Sequence, residues 1–192
     1  MKKLVALFWI FNLLPFSGFT QKSKVYFSLE EALAVPVDSV IHLDLSKQKL
    51  DSFPKAIIKF KSLESLNLAK NNLVSIPIEI YGLSNLIEVN LEKNKLTQFP
   101  TGLCSCLKLE VINFGRNEIA SVPRCIGQLK LLTSLDLWDN PIAGLPETID
   151  QLKQLKFLDL RAINLSQQTK VAISGALPET KIEFDNGCDC DK

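Results

Sequence analysis

A period of 23 residues constrains this chain more than any single residue does. Leu43, Leu66, Val89, Ile112, Leu135 and Leu158 stand 23 positions apart with no insertion or deletion. Two residues on, Leu45, Leu68, Leu91, Phe114, Leu137 and Leu160 keep the same step. A unit this short cannot enclose a core of its own, so it buries its apolar side against the copies before and after it. The period therefore predicts a solenoid: a long, regular outer surface with no obvious pocket, for which binding is the default activity.

Inside residues 63–85 the spacing changes partway. Leu66 and Leu68 are two apart, as in a strand, which turns Ser65, Asn67 and Ala69 to the opposite face. A tight turn carrying Asn71 follows. Leu73 to Ile76, and Pro77 to Ile80 to Leu83, are then spaced by three, as a short 3₁₀ or helical return requires. Pro77 suits that return, because a first helical turn needs no amide proton there. The columns recur along the chain. Turn amides run Gln48, Asn71, Asn94, Asn117 and Asn140 and stop at Ile163. Apolar-proline pairs run Phe53-Pro54, Ile76-Pro77, Phe99-Pro100, Val122-Pro123 and Leu145-Pro146. The amides are expected to bond backbone groups of the turn that would otherwise be buried unpaired. Packing accounts for each of these columns, and none is assigned to chemistry.

The pattern LxxLxLxxNxL followed by xx[LIVF]Pxx[IL]xxL resembles the leucine-rich repeat family, in its 23-residue class with a proline in the return. The match covers about residues 40–165, five full units and a sixth strand. The resemblance implies an α/β solenoid with a curved parallel sheet on the concave side and short 3₁₀ or helical returns on the convex side. It also implies a protein-binding role more often than any other. Ile163 departs from the pattern and marks the last coil as a cap; Gln48 is a milder departure at the other end.

A solenoid must cover its end coils. Residues 21–39 read as an N-terminal cap, in which Ser28-Leu29-Glu30-Glu31 is a capping box for a short helix closed by Pro36. Residues 166–184 read as a C-terminal cap, with a helix over 166–174 ended by Gly175 and a short strand over Lys181–Phe184. Residues 185–192 read as a flexible tail. At the other extreme, Lys2 and Lys3 precede the apolar run Leu4–Phe11, which Asn12 and Pro15 interrupt. That is the form of a secretory signal over residues 1–20, and it falls short of the roughly 20 apolar residues of a membrane span. Export follows as the expectation: a secreted, periplasmic or cell-surface protein with no membrane span once the signal is cleaved after Thr20. The rival is an intracellular or membrane-tethered scaffold that keeps these residues.

Charge is balanced at 22 Lys+Arg against 21 Asp+Glu, or 20 against 21 without Lys2 and Lys3, which argues against nucleic acid as a partner. The chain has no Gly-rich phosphate loop or nucleophile elbow. Its one histidine, His42, is far in sequence from every cysteine. No catalytic residue, metal or cofactor is expected, and the chain is not read as an enzyme. Of five cysteines, Cys106 falls in a core column. Cys104 and Cys125 lie on neighbouring returns in columns that differ by two positions, so a bridge between them stays open. Cys188 and Cys190 form a tail pair that makes no closed metal site.

Function is then sought on the outward strand residues. The central ladder is Asp44, Asn67, Asn90, Asn113, Asp136 and Asp159. One flank carries His42, Ser65, Glu88, Val111, Ser134 and Phe157, and the other Ser46, Ala69, Glu92, Gly115, Trp138 and Arg161. The first three coils are bland. The last three bring together Val111, Arg116, Asp136, Trp138, Phe157, Asp159 and Arg161, rich in the residue types that anchor interfaces. These are the partner-binding candidates, and the partner is another protein. Two other readings stand beside this one: that Trp138 and Phe157 only cover a terminal coil, and that Trp138 with Asp136 serves a glycan-binding adhesin. Lys47, Lys70, Lys93 and Arg116 form a basic column that reads as a solvated edge, diluted by Glu88, Glu92 and the central aspartates. Asn94→Ala is expected to cost about 1–3 kcal/mol, and Asn90→Ala, on the open face, little.

Overall fold

The computed structural model describes residues 24–185. The expected signal and the Cys188/Cys190 pair lie outside the described residues. Eight parallel strands form one curved, unclosed sheet in sequence order: β1 Val25–Tyr26, β2 His42–Asp44, β3 Ser65–Asn67, β4 Glu88–Asn90, β5 Val111–Asn113, β6 Ser134–Asp136, β7 Phe157–Asp159 and β8 Lys181–Glu183. From β2 to β7 the 23-residue period is also the register: Leu43 pairs with Leu66, Leu66 with Val89, Val89 with Ile112, Ile112 with Leu135 and Leu135 with Leu158. The middle residue of each of these strands is buried, which is the two-residue alternation read from the sequence.

Five 3₁₀ returns bring the chain back, over Lys55–Lys59, Ile78–Gly82, Thr101–Ser105, Arg124–Gln128 and Glu147–Gln151. A proline with φ between −68° and −75° precedes each one, pre-set for the turn it opens. Ile57, Ile80, Leu103, Ile126 and Ile149 point inward from these returns into one continuous apolar strip, which runs from Tyr26 to Leu177. Full burial of such a side chain is worth about 1.5–3 kcal/mol, so the strip rather than any local propensity holds the coils together. Two returns approach each other closely at Gly102, where a Cβ would stand 2.4 Å from the Ile78 carbonyl oxygen.

The turn asparagines stitch coil to coil. Asn94 accepts from the Leu73 N–H at 3.0 Å and donates to the Leu68 and Leu91 carbonyls, each at 3.0 Å. Asn71, Asn117 and Asn140 repeat the arrangement, and all four are buried. Gln48 behaves differently: it is exposed, and its amide donates to the Phe27 carbonyl at 2.7 Å. Ile163 is buried with the core, in keeping with its place in the last coil.

Both ends carry helices, with four departures from expectation. Strand β1 adds a rung ahead of helix α1 (Leu29–Leu33). Its two residues lie outside the repeat and carry no period to announce them. Ser28 caps α1 by accepting from the Glu31 N–H at 3.1 Å, but the Glu31 carboxylate pairs with Lys24 at 2.7 Å. The helix ends at Leu33, and Pro36 instead opens a single 3₁₀ turn over Val37–Ser39. At the other end, α2 spans Gln167–Ala176 behind a Ser166 cap. Gly175 lies within it and does not adopt the left-handed conformation of a terminating glycine.

Cysteine pairing is resolved where the columns left it open. Cys104 and Cys125 form a disulfide across neighbouring returns, with Cα atoms 5.7 Å apart. Cys106 is buried, and burial pushes its thiol up to about 11. It packs as a small hydrophobe.

Candidate functional site

The concave face is built by the outward residues of β2–β7, and its central ladder serves the backbone as well as the surface. In each coil the Asp or Asn oxygen accepts from the N–H two residues on: Asp44 from Ser46, Asn67 from Ala69, Asn90 from Glu92, Asn113 from Gly115, Asp136 from Trp138 and Asp159 from Arg161, all at 2.9–3.0 Å. That N–H sits between two others, such as those of Leu45 and Lys47, which donate to the next coil. The side chain therefore supplies the acceptor that the sheet does not. The expectation that Asn90 stands free on an open face is corrected here, because Asn90 holds the exit of β4. The signal was visible as six Asp or Asn residues in one column, a type that forms such local bonds readily.

The candidate residues of the last coils fall into two linked groups. Arg116 stacks on Trp138, with its guanidinium carbon 4.5 Å from the ring centroid, and its Nε lies 3.9 Å from Asp139. Trp138 is half-buried and Arg116 exposed. Gly115, on the same column as Trp138 one coil earlier, offers no side chain of its own and is buried. In the second group, Arg161 donates to both oxygens of Asp159, with Nε 2.9 Å from Oδ1, and also lies 3.3 Å from Glu183. Asp159 is only 2% exposed, so Arg161 supplies the cation that a buried carboxylate requires. Phe157 is half-buried, and Lys181 of β8 reaches over its ring at 5.5 Å. Val111 is half-buried on the same column as Phe157, two coils earlier.

Asp136 lies between the groups. Burial pushes its carboxyl up to about 6, with Asp159 and Glu92 adding repulsion, against the opposing Trp138 N–H and Arg161. Burial likewise raises Glu88, opposed by His42. The surface is thus an aromatic–arginine strip over a partly desolvated acid. The contacts these groups can offer are stacking, bidentate hydrogen bonding and charge complementarity. Among the described residues, no group of three or more His, Cys, Asp or Glu side chains is placed to hold a metal ion, and no helix is long and apolar enough to cross a membrane.

The Leucine rich repeat family model matches residues 61–119 and 84–142. Among solved structures, a leucine-rich repeat protein of Leptospira interrogans aligns at 34% identity and a TM-score of 0.67, over 76% of this chain and 36% of that one. An internalin C2 of Listeria monocytogenes aligns at 22% identity and 0.66, over 77% of this chain and 62% of that one, and shares the fold. A structure of PEPR1-AtPEP1 aligns at 25% identity and 0.68, over 77% of this chain and 21% of that one. The chain therefore spans less than two thirds of the length of each of these. No curated protein matches it.

Proposed function

Because this chain belongs to the leucine-rich repeat family, we propose that it is a non-catalytic binding module that recognises another protein through the C-terminal half of its concave face. The observation that carries this reading is the Arg116–Trp138 stack beside the Arg161–Asp159 pair, on a face whose first three coils hold nothing comparable. Trp and Arg dominate binding hot spots because they bury large areas and keep polar reach. Both arginines are held by intramolecular partners, so less rotamer freedom is lost on docking. PEPR1, solved together with AtPEP1, is similar in fold.

Export is part of the proposal. It is supported by the form of residues 1–20 and by the Cys104–Cys125 disulfide, a bond that persists in oxidising compartments. Mass measurement of the mature chain tests it: loss of the first 20 residues, with Cys104 and Cys125 unreactive to thiol reagents, is the expected outcome, and retention of those residues removes it.

Partner recognition is tested by pull-down with the full protein, followed by titration of the captured protein. Trp138→Ala is expected to weaken binding by about thirtyfold, the scale of a hot spot of about 2 kcal/mol, with an unchanged circular dichroism spectrum. Unchanged affinity in a folded variant sinks the concave-face reading. Lower stability with unchanged affinity would assign Trp138 to covering its coil.

A further inference from the structure

The tight turns after the strands form one rim of the molecule, and its basic residues are set in an unusual backbone. Lys47, Lys70, Lys93 and Arg116 occupy the same step of four successive turns, with φ of 60°, 60°, 57° and 58°. The left-handed region costs an L-residue about 1–2 kcal/mol that glycine escapes. The turn would thus be served better by glycine, yet a cation stands there four times running. Lys49 (φ 56°) and Lys95 lie two residues further along in the first and third of these turns. All six side chains are exposed.

Three lysines of the convex side are held by polar partners, whereas, among the described residues, Lys55 and Lys59 of the first return are as unpaired as the rim lysines. Lys61, Lys108 and Lys130 donate to the Gly82 carbonyl, Asn85 Oδ1 and Gln151 Oε1 at 3.2, 2.8 and 2.8 Å. Among the described residues no carboxylate pairs with Lys47, Lys49, Lys70, Lys93 or Lys95. The central aspartates and asparagines turn an oxygen to their own backbone, Glu88 lies on the far flank of the strands, and Glu92 and Glu118 adjoin the third and fourth steps without an ion pair to either cation. The row ends at Arg116: the next turn sets Asp139 (φ 55°) at the same step, 3.9 Å from Arg116, and the turn after it Ala162 (φ 54°).

We propose that this rim binds a linear polysaccharide bearing repeated sulfate or carboxylate groups. Parallel strands step by about 4.8 Å, so the four cations form an even row roughly 15 Å long, matched to anions that recur along a chain. Trp138, at the fourth step, is already stacked on Arg116, and the first three steps are lysines that offer charge and little apolar area to a folded protein partner. The row meets the concave strip at Arg116, so its test varies only Lys47, Lys70 and Lys93 and leaves Arg116 and Trp138 untouched.

Heparin, which carries both kinds of group, is the probe, titrated against the full protein at several salt concentrations. Affinity is expected to fall steeply with salt, as it does wherever a polyanion sheds counterions on binding. A Lys47→Gln, Lys70→Gln, Lys93→Gln triple variant should weaken binding by about tenfold or more and flatten the salt slope. The charge-matched triple Lys55→Gln, Lys59→Gln, Lys153→Gln should bind within about twofold of the parent. Equal losses in the two triples overturn the proposal, and so does equal or tighter binding of duplex DNA or polyglutamate. The triple Lys47→Gly, Lys70→Gly, Lys93→Gly separates charge from fold: it should raise Tm while weakening heparin binding as much as the glutamine triple does. Glycine variants that retain heparin affinity also overturn it.

Discussion

Two polar columns run the length of this solenoid, one buried in the turns and one on the concave face, and they differ in what they ask of a side chain. Each turn asparagine accepts one or more backbone N–H bonds and donates to carbonyls of two coils, as Asn94 does with Leu73, Leu68 and Leu91. Only an amide offers both a donor and an acceptor in that geometry. The column is accordingly Asn at 71, 94, 117 and 140. The concave column needs an acceptor alone, for the N–H two residues on, and it mixes Asp at 44, 136 and 159 with Asn at 67, 90 and 113. The polarity of the hydrogen bond, more than exposure, decides which residues each column tolerates.

The strongest attempt to break this distinction is an Asn-to-Asp exchange in both columns. Asn94→Asp should be the most damaging change, since it leaves the Leu68 and Leu91 carbonyls without a donor and sets a carboxylate against them. Urea unfolding is expected to show a loss above the 1–3 kcal/mol of Asn94→Ala. Asn90→Asp should stay within about 0.5 kcal/mol of the parent, as for a surface exchange that keeps its acceptor. An equal cost at both positions would end the distinction. Next in size, Asn90→Ala should cost about 1 kcal/mol, one local hydrogen bond; no measurable cost would return the concave column to a passive surface.

A pH-dependent effect is expected at Asp136, whose carboxyl stands at about 6 in the folded chain against an ordinary 3.8. Between these values the folded chain binds more protons than the unfolded one, so this group's contribution to stability falls as pH rises from about 4 to 6. Asp136→Asn keeps the acceptor for the Trp138 N–H and removes that slope. The variant should therefore gain on the parent as pH rises through the window, measured by urea midpoints at pH 4 and 7. A constant difference between the two would show that Asp136 does not titrate as placed.

Much of the fold was legible because one residue type recurs wherever one packing problem recurs. Leu66, Val89 and Ile112 share a column because they share a register, and Asn94 could be placed in the turn from its neighbours 23 residues away. Features that lack a repeat were not legible. Strand β1 is two residues long, and Val25-Tyr26 has no copy to compare with. The Cys104–Cys125 bond joins residues 21 apart, the same offset that links Lys61 to Gly82 and Lys130 to Gln151. On the returns, then, contacts need not follow the strands' step of 23. Of the candidate site, the cluster of residue types could be read from the ladders. The pairing of Arg116 with Trp138, and the burial of Asp159 under Arg161, depend on side-chain direction across coils, which spacing alone does not carry.

The position of the disulfide has a mechanical consequence. A curved stack flexes by letting its outer edge fan open or draw together, and it fails under tension by peeling from an end. The covalent link between the returns of the third and fourth coils forbids fanning at mid-molecule. Bending is thereby left to the two arms on either side, and a pulled chain stops lengthening at a closed loop it cannot unravel without a reductant.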